Sequence, residues 1–280
     1  MTKDFLFADL HIHTYYSDGT ASPSEVVDEA IKNGLVCIAI TDHDMIEGIV
    51  PAQEAAKERP LEIIAGVELS SEFEGKDIHI LGYFINIDKG PLVDKLELFL
   101  DERVKRMKQM IMNLQSLGIK DIAFEETAVL TKSRAVGRAH LALLLVQKGH
   151  AASFKDAFEK YLGPGRPGYA AKYQQAPFEA INLIHQSGGL AVMAHPMLTQ
   201  KDEMIPRLAK FGLDGLEVFY PNCMPSVTEF YRKIAKKHGL LMTGGSDAHG
   251  TAKAHTYVGK EQIPYELVEK MKEKIASLRA

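Results

Sequence analysis

Short apolar runs in this chain are repeatedly followed by histidines and acidic residues. The first run leads into Asp9-Leu10-His11-Ile12-His13, and a later run leads into Thr41-Asp42-His43. Side chains at the carboxyl ends of successive parallel strands converge when the strands form a barrel. We therefore expect one cluster of imidazoles and carboxylates, most of them at strand ends: His11, His13, Asp18, His43, Glu68, His79, His195, Asp247 and His249.

The apolar runs alternate with helical patterns, which favours an α/β architecture. Ser22-Pro23-Ser24-Glu25 predicts a helix start, because serine and glutamate form a capping box and proline suits the first helical position. Gly34 is expected to end that helix. Strands are predicted over residues 5–10, 36–40, 61–66, 77–83, 190–194, 215–219 and 240–245. Further helices are predicted over residues 47–58, 177–187 and 264–279.

The alternation is interrupted after Pro91. Residues 92–117 form a long, charged, amphipathic pattern, and shorter helical patterns follow over 136–147 and 154–161. Glycines and prolines over residues 163–168 then exclude a helix. We predict a first part of a barrel over 1–91, a helical insertion over 92–170 and a second part of the barrel over 171–280, a length that suits one barrel domain.

The composition and net charge of the chain limit the kinds of partner and the compartment that we expect. The chain has 280 residues and a net charge of −4, which gives no support for a stable nucleic-acid complex or an anionic membrane partner. Cys37 and Cys223 match no paired framework, which favours a reducing compartment. No segment has the features of a signal peptide or the ~20 apolar residues of a membrane helix. We therefore expect a cytoplasmic protein.

The expected ligands fit a multinuclear metal site. His11 and His13 alternate along a strand, so both project to one side of it. Six histidines and three carboxylates give nine ligands, or three for each of three divalent ions, which leaves open positions for catalysis. Nitrogen and oxygen donors without thiolate favour manganese, with iron or zinc as alternatives, over magnesium or calcium. Asp9 and Asp42 adjoin this set, and we expect each to orient an imidazole.

The balance of charge in the expected metal site indicates which kind of substrate it would bind. Three divalent ions carry six positive charges, and three carboxylates with one bridging hydroxide cancel four of them. The surplus suits a phosphate monoester dianion, and the metals would lower the pKa of bound water towards ~7. We expect a metal-bridging hydroxide to attack phosphorus. His195, Asp247 and His249 are the expected catalytic residues, with His195 or His249 as general acid, although both are also expected to bind metal.

In order along the chain, these groups resemble the motifs of the PHP (polymerase and histidinol phosphatase) family: Asp9-x-His11-x-His13, Thr41-Asp42-His43, Gly66-Val67-Glu68, His79, His195-Pro196 and Ser246-Asp247-Ala248-His249. The resemblance spans nearly the whole chain apart from the insertion. It implies a distorted (β/α)7 TIM-like barrel around a trinuclear metal centre. It also implies three ligand sets: His11, His13, Glu68 and Asp247; Glu68, His79 and His195; and Asp18, His43 and His249.

The insertion resembles one branch of this family, which acts on nucleoside 3′,5′-bisphosphates and on the 5′ ends of short RNAs. The segment Lys132-Ser133-Arg134-Ala135-Val136-Gly137-Arg138-Ala139-His140 is similar to the Arg-x-His region of that branch, although proline often stands where this chain has Ala139. Arg134 and Arg138 are four residues apart near a helix start, so we expect them on one face, where they could bind phosphate. His140 is expected to face the phosphate as well.

The sequence thus predicts a metal-dependent phosphoesterase that removes the 3′-phosphate of nucleoside 3′,5′-bisphosphates or hydrolyses short 5′-phosphorylated oligoribonucleotides. Three alternatives stay open. A histidinol phosphate phosphatase would share the fold and metals, but the arginines of the insertion favour a second phosphate. An amidohydrolase would leave Asp18, His43 and His249 without a role. A non-catalytic PHP binding module would usually have lost ligands. The remaining histidines lack partners of the right type nearby and are expected to be structural: His150, His185, His238 and His255.

Overall fold

The computed structural model describes residues 6–131, 134, 136–253 and 256–279, so Lys132, Ser133, Ala135 and His255 lie outside the described residues. The strands are β1 (Phe7–Ile12), β2 (Cys37–Ile40), β3 (Glu62–Phe73), β4 (Lys76–Tyr83), β5 (Leu190–Met193), β6 (Gly215–Phe219), β7 (Leu241–Gly244) and β8 (Ile263–Pro264). The α-helices are α1 (Pro23–Lys32), α2 (Ile49–Ala56), α3 (Pro91–Ser116), α4 (Phe124–Val129), α5 (Arg138–Gln147), α6 (Phe154–Ala157), α7 (Pro177–Gln186), α8 (Pro196–Thr199), α9 (Ile205–Phe211), α10 (Pro225–His238) and α11 (Tyr265–Arg279). Shorter turns are π-helical over Phe158–Leu162 and 3-10 over Asp202–Met204 and Gly250–Ala252.

The strands form one sheet that curls into a nearly closed barrel. Their order is β7-β6-β5-β4-β3-β2-β1-β8, with β1, β2 and β3 parallel to one another and β5, β6 and β7 likewise. The chain after β7 returns to β1 through a parallel bridge between Ala248 and Ile12. The backbone N–H of His13 donates to the carbonyl of Ala248 at 2.9 Å. The predicted α/β barrel is therefore confirmed.

β3 and β4 depart from the predicted alternation of strands and helices, because they form an antiparallel hairpin. β3 runs seven residues beyond its predicted end at Gly66, and it pairs with β4 from Gly66↔Tyr83 to Phe73↔Lys76. Glu74 and Gly75 both have positive φ, as a tight hairpin turn requires. Glu68 consequently lies inside β3, and the prediction that it follows the end of a strand was wrong. His79 lies inside β4, within the strand predicted over 77–83.

Apolar side chains from the strands and from α11 pack together in the core of the barrel. β2 is buried along its whole length, as expected for a parallel strand covered on both faces. The capping box at α1 is confirmed: the N–H of Glu25 donates to Ser22 Oγ at 3.2 Å, and the N–H of Ser22 donates to Glu25 Oε2 at 2.7 Å. Across the described residues, no helix is both long and apolar enough to cross a membrane.

The described chain divides into two compact units, with boundaries between Asp94 and Lys95 and between Tyr173 and Gln174. The expected insertion of residues 92–170 overlaps the second unit. This unit has an apolar core of its own, in which α3 and α5 contribute Leu114 and Leu141. It also contains α4, which the sequence analysis did not predict.

Candidate metal centre

Glu68 lies at the centre of the expected ligand cluster. Its side chain is fully buried on β3. Each of five histidines places a ring nitrogen within 3.2 Å of its carboxylate: His11, His13, His43, His79 and His195. Oε1 is shared by the histidines from β4 and from the end of β5, and Oε2 by the other three. One carboxylate therefore joins side chains from both halves of the barrel.

Asp247 and Asp18 complete the cluster on its other side. Asp247 Oδ1 lies 3.3 Å from His13 Nε2 and 3.6 Å from His11 Nε2. Asp18 Oδ1 lies 3.3 Å from His249 Nε2, and its Oδ2 lies 3.9 Å from His43 Nε2. The Asp18 side chain is 57% exposed, whereas that of Asp247 is 7% exposed. Asp18 thus marks the side of the cluster that is open to solvent.

Each of the nine expected ligands belongs to at least one group whose donor atoms lie within 4.8 Å of one another. The four groups are His13, Asp18, His43 and His249; His11, Glu68 and His195; His11, His13 and Asp247; and His43, Glu68 and His79. Three of these groups cut across the sets implied by resemblance, since His79 joins His43, His195 joins His11, and His13 joins Asp18, His43 and His249. The number of metals and the assignment of ligands to each metal stay predictions.

The charges in the cluster are strongly coupled. Burial would raise the pKa of Glu68, but His43, His11 and His79 hold it well below its usual range. Burial also opposes protonation of His13, yet hydrogen bonds to Asp247 and Glu68 outweigh it and raise the pKa of His13 to about 10. Burial lowers the pKa of His43 to about 3, so that ring stays neutral. The carboxylates are thus ionised and demand positive charge.

This demand fits divalent cations. Among the described residues, His13 Nδ1 and His195 Nδ1 are buried without a hydrogen-bond partner. The rings of His13 and His249 stack with centroids 4.1 Å apart, an arrangement that would be unfavourable if both carried charge. In the absence of metal, a proton on a ring such as that of His13 offsets part of the carboxylate charge. Divalent cations that displace this proton would meet neutral imidazoles and ionised carboxylates, the donors that manganese, iron and zinc accept. The residues present therefore fit the metal centre that the sequence predicts.

Two of the expected ligands have unusual backbone conformations. His195 has φ 25° and ψ 59°, and Asp247 has φ 49°, both in the left-handed region that non-glycine residues rarely adopt. His195 also precedes Pro196, which restricts its backbone further. Such conformations cost about 1–3 kcal/mol each and concentrate at functional sites.

The sequence analysis missed Glu217, which is fully buried on β6. Its Oε1 lies 2.9 Å from His11 Nδ1, and its Oε2 accepts the backbone N–H of His195 at 2.7 Å. A single acidic residue within the apolar run Gly215–Phe219 was the available signal, because a buried carboxylate requires partners.

Tyr220 and Lys253 were also missed. The Tyr220 hydroxyl donates to Asp247 Oδ2 at 2.7 Å, and the Lys253 ammonium contacts the same oxygen. Tyr220 follows β6 as the expected ligands follow their own strands, so its position was the signal. Nothing in the sequence distinguishes Lys253 from other surface lysines.

The carboxylates of Asp9 and Asp42 act on loops rather than on imidazole rings, contrary to expectation. Asp9 accepts backbone N–H groups of Ser246 at 2.8 Å and Gly259 at 2.7 Å. Asp42 accepts the N–H and hydroxyl of Thr14, both at 2.7 Å, and the hydroxyl of Ser17 at 2.6 Å. Both acids are close to ligand histidines in the sequence, but these hydrogen bonds join them to backbone N–H groups and hydroxyls rather than to imidazole nitrogens.

The expected phosphate-binding residues lie in the second unit. Helix α5 begins at Arg138 with Gly137 as its N-cap, so Arg134 lies outside the helix and the prediction of a shared helical face was wrong. Arg134 forms two hydrogen bonds with Glu97, at 2.9 and 2.7 Å. His140 Nδ1 accepts the N–H of Gly137 at 3.1 Å and so caps the helix.

Arg138 lies in a cluster of cations and aromatic rings. Its guanidinium is 5.6 Å from the ring centroid of Phe158 and 5.8 Å from that of Tyr169. The Arg106 guanidinium is also 5.8 Å from the Tyr169 ring. Burial lowers the pKa of Arg106, and the nearby charges of Arg138 and Arg103 lower it further.

The histidines expected to be structural differ in their surroundings. His150 Nε2 lies 2.6 Å from Asp121, and His185 Nε2 lies 2.8 Å from Asp214. Each of these two histidines pairs with one aspartate that is 29 positions away in the sequence, so the sequence did not indicate either pair. His238 is the last residue of α10.

Similar proteins were found among family models, curated sequences and solved structures. A model of the PHP domain matches residues 9–278. The chain is 36% identical over 259 residues to a 5′-3′ exoribonuclease of Haemophilus influenzae, covering 89% of this chain and 91% of that protein. It is 31% identical over 262 residues to a 3′,5′-nucleoside bisphosphate phosphatase of Chromobacterium violaceum, covering 91% and 92%. A crystal structure from Bifidobacterium adolescentis, named as a metal-dependent phosphoesterase, matches with a TM-score of 0.80 and 30% identity over 94% of each chain.

Proposed function

Since this chain belongs to the PHP family and is a metal-dependent phosphoesterase, we propose that it removes the 3′-phosphate of nucleoside 3′,5′-bisphosphates or hydrolyses short 5′-phosphorylated oligoribonucleotides. The observation that carries the choice of substrate is the cluster of arginines and aromatic rings around Tyr169 in the second unit. A histidinol phosphate has one phosphate and would leave a second anion site without a role.

The metal centre in this proposal contains three divalent ions, with manganese favoured over iron and zinc. The proposed ligands are the nine clustered residues: His11, His13, Asp18, His43, Glu68, His79, His195, Asp247 and His249. When bound, such ions neutralise phosphate oxygens and lower the pKa of water, which supplies hydroxide at neutral pH. Support for the proposal comes from the ionised, buried carboxylates of Glu68 and Asp247, which lie among imidazole nitrogens close enough to share a cation.

The protein side chains hold and orient the reacting groups. The Nδ1 of His249 lies 2.9 Å from the backbone carbonyl of Asp247, so Nδ1 carries the proton and Nε2 offers a lone pair. That tautomer suits metal binding and makes His249 the weaker candidate for the general acid. His195 is the stronger candidate, because its Nδ1 has no hydrogen-bond partner among the described residues. The exposed Asp18 lies where a substrate phosphate would enter.

Arg138 is the principal residue proposed to bind the second phosphate. Its described contacts are the two aromatic rings and the Leu162 carbonyl, the latter at 3.5 Å, so its charge is available to an anion. Arg106 adds a second charge beside the same ring. Arg134 would have to leave Glu97 before it could contribute, and His140 could contribute only through Nε2 because Nδ1 caps α5.

The test is phosphate release by manganese-loaded protein from adenosine 3′,5′-bisphosphate, histidinol phosphate and 5′-AMP, with a chelator as control. A 5′-phosphorylated oligoribonucleotide is assayed in parallel by release of nucleotides. Preference for the bisphosphate or the oligonucleotide, abolished by the chelator, supports the proposal. Preference for histidinol phosphate contradicts the substrate assignment but leaves the metal centre intact.

Two variants locate the second phosphate site. Arg138→Ala should raise KM for the bisphosphate at least tenfold, because a charge-assisted hydrogen bond contributes about 1.5–3 kcal/mol. Arg134→Ala should have a smaller effect, since Arg134 is already paired with Glu97. Equal KM values for Arg138→Ala and the unmodified protein would contradict the role of Arg138.

His249→Ala should abolish turnover in an enzyme and would leave a mere binding module unaffected.

A further inference from the structure

Glu217 is a fully buried carboxylate that the proposed mechanism does not use. β6 is flanked by β5 and β7, which lead into His195 and Asp247, yet β6 itself carries no proposed metal ligand. Glu217 stands in its middle, fully buried, where an ionised group is stable only if its oxygens are hydrogen-bonded.

Both oxygens of Glu217 contact proposed metal ligands. Oε1 lies 2.9 Å from Nδ1 of His11, on β1. Oε2 accepts the backbone N–H of His195 at 2.7 Å, at the residue whose φ is 25°. We propose that Glu217 is a positioning residue, which holds the proton of His11 on Nδ1 and fixes the strained backbone of His195. The inference rests on the proposal that His11 and His195 bind metal.

The geometry of His11 supports this role. Its Nε2 is directed at the cluster, 3.2 Å from Glu68 Oε2 and 3.6 Å from Asp247 Oδ1. A neutral imidazole has one protonated nitrogen and one lone pair. With the proton on Nδ1, donated to Glu217, the lone pair of Nε2 faces the metal. Carboxylates in this position also increase the basicity of a metal-binding imidazole.

Glutamine at position 217 would reverse this arrangement. A carboxylate accepts from two N–H groups at once, whereas an amide offers one acceptor oxygen and one donor NH2. The backbone N–H of His195 cannot give up its proton, so the amide oxygen must face it. The NH2 then faces His11 Nδ1 and favours the tautomer with its proton on Nε2, which cannot bind metal.

The chain offers a matched control in Asp214. Its Oδ2 lies 2.8 Å from His185 Nε2 and accepts the backbone N–H of Ala191 at 2.9 Å. It therefore also contacts one histidine ring and one backbone N–H, but His185 is not a proposed ligand. Asp214→Asn should disturb local hydrogen bonding to a similar extent without affecting metal binding.

The experiment is calorimetric titration of metal-free protein with Mn²⁺, for the unmodified chain and the variants Glu217→Gln, Asp214→Asn and His11→Ala. We expect Glu217→Gln to weaken metal binding 10- to 100-fold, the range seen when a group that orients a metal ligand is changed. Asp214→Asn should match the unmodified chain. If His11→Ala binds metal normally, the proposed ligand set fails. If Glu217→Gln binds metal normally while His11→Ala does not, the role of Glu217 alone is overturned.

A second measurement does not depend on the Glu217 variant folding. In ¹H–¹⁵N spectra of the zinc-loaded protein, His11 should show a downfield Nδ1–H resonance, as expected for a proton donated to a buried carboxylate. The resonance is assigned by its loss in His11→Ala. Its retention in Asp214→Asn and loss in Glu217→Gln support the inference, whereas its absence from the unmodified protein overturns it.

Discussion

Replacing Gly245 with alanine should force apart the two segments that close the barrel. A Cβ at this position would lie 2.4 Å from His11 N, 2.6 Å from His11 Cβ and 2.7 Å from Asp9 Oδ1. Ordinary contacts begin at 3.4 Å, so one segment must move by about 1 Å. The first two of these atoms belong to the backbone and the stem of a β1 residue, which cannot rotate away.

The expected loss of stability is at the upper end of the range for overpacking, about 2–3 kcal/mol. For a chain of 280 residues that corresponds to a fall in Tm of about 3–5 °C. The same movement would separate His11 and His13 from Asp247, whose Oδ1 now lies 3.6 and 3.3 Å from their Nε2 atoms. We therefore also expect binding of Mn²⁺ to weaken at least tenfold, about 1.4 kcal/mol.

The assay is thermal unfolding followed by circular dichroism, together with calorimetric titration with Mn²⁺. Gly137→Ala is the matched control, because Gly137 has φ −140° and the nearest atom to its new Cβ would be 3.9 Å away. Its Tm should stay within about 1 °C of the unmodified protein. If Gly245→Ala has the Tm and metal affinity of that control, the close approach of β1 to the segment after β7 is refuted.

Three further predictions concern stability, pH and reactivity. A metal concentration 100-fold above Kd should stabilise the folded protein by about 2.7 kcal/mol, and the rise in Tm should be absent in Glu68→Ala if Glu68 binds metal. Burial lowers the pKa of His140 from 6.5, so the unfolded chain binds its proton first and stability should fall as pH drops below about 6.5. His140→Gln, measured by urea unfolding between pH 5 and 8, should reduce that dependence. Burial raises the pKa of the Cys37 thiol, so mass spectrometry after alkylation should find Cys223 modified first and Cys37 only on unfolding.

The strands that the sequence predicts best are those whose physical signal is local. β2, β5 and β6 begin and end within one residue of their predicted limits, because each is a short apolar run bounded by polar or turn residues. The predicted end of β3, Gly66, lies seven residues before its observed end, Phe73. The second half of β3 contains the polar residues Ser70 and Glu72, which pair with residues of β4. Without knowledge of that partner strand, polar residues at these positions indicate a loop.

Residue types of the candidate site could be predicted from the sequence, but pairings within it could not. Imidazoles and carboxylates after successive strands indicate a cluster because their chemistry and the direction of the strands are both local properties. The contact between Glu217 and His11 spans 206 positions, and that between Arg134 and Glu97 spans 37. Such contacts depend on how strands and helices pack, which a single sequence does not reveal.

The division of the cluster between the two ends of the chain has a consequence for how the protein is made. The residues up to His79 and those from His195 onward are separated by the whole second unit. At about 5–20 residues per second, a ribosome needs roughly 10–30 s to pass from His79 to His249. Throughout that interval the nascent chain presents Glu68 with its early histidines but without Asp247. If the proposed ligands bind the metal, stable metal capture must therefore follow Asp247, and the cell's metal supply acts on chains whose barrel is complete rather than on growing ones.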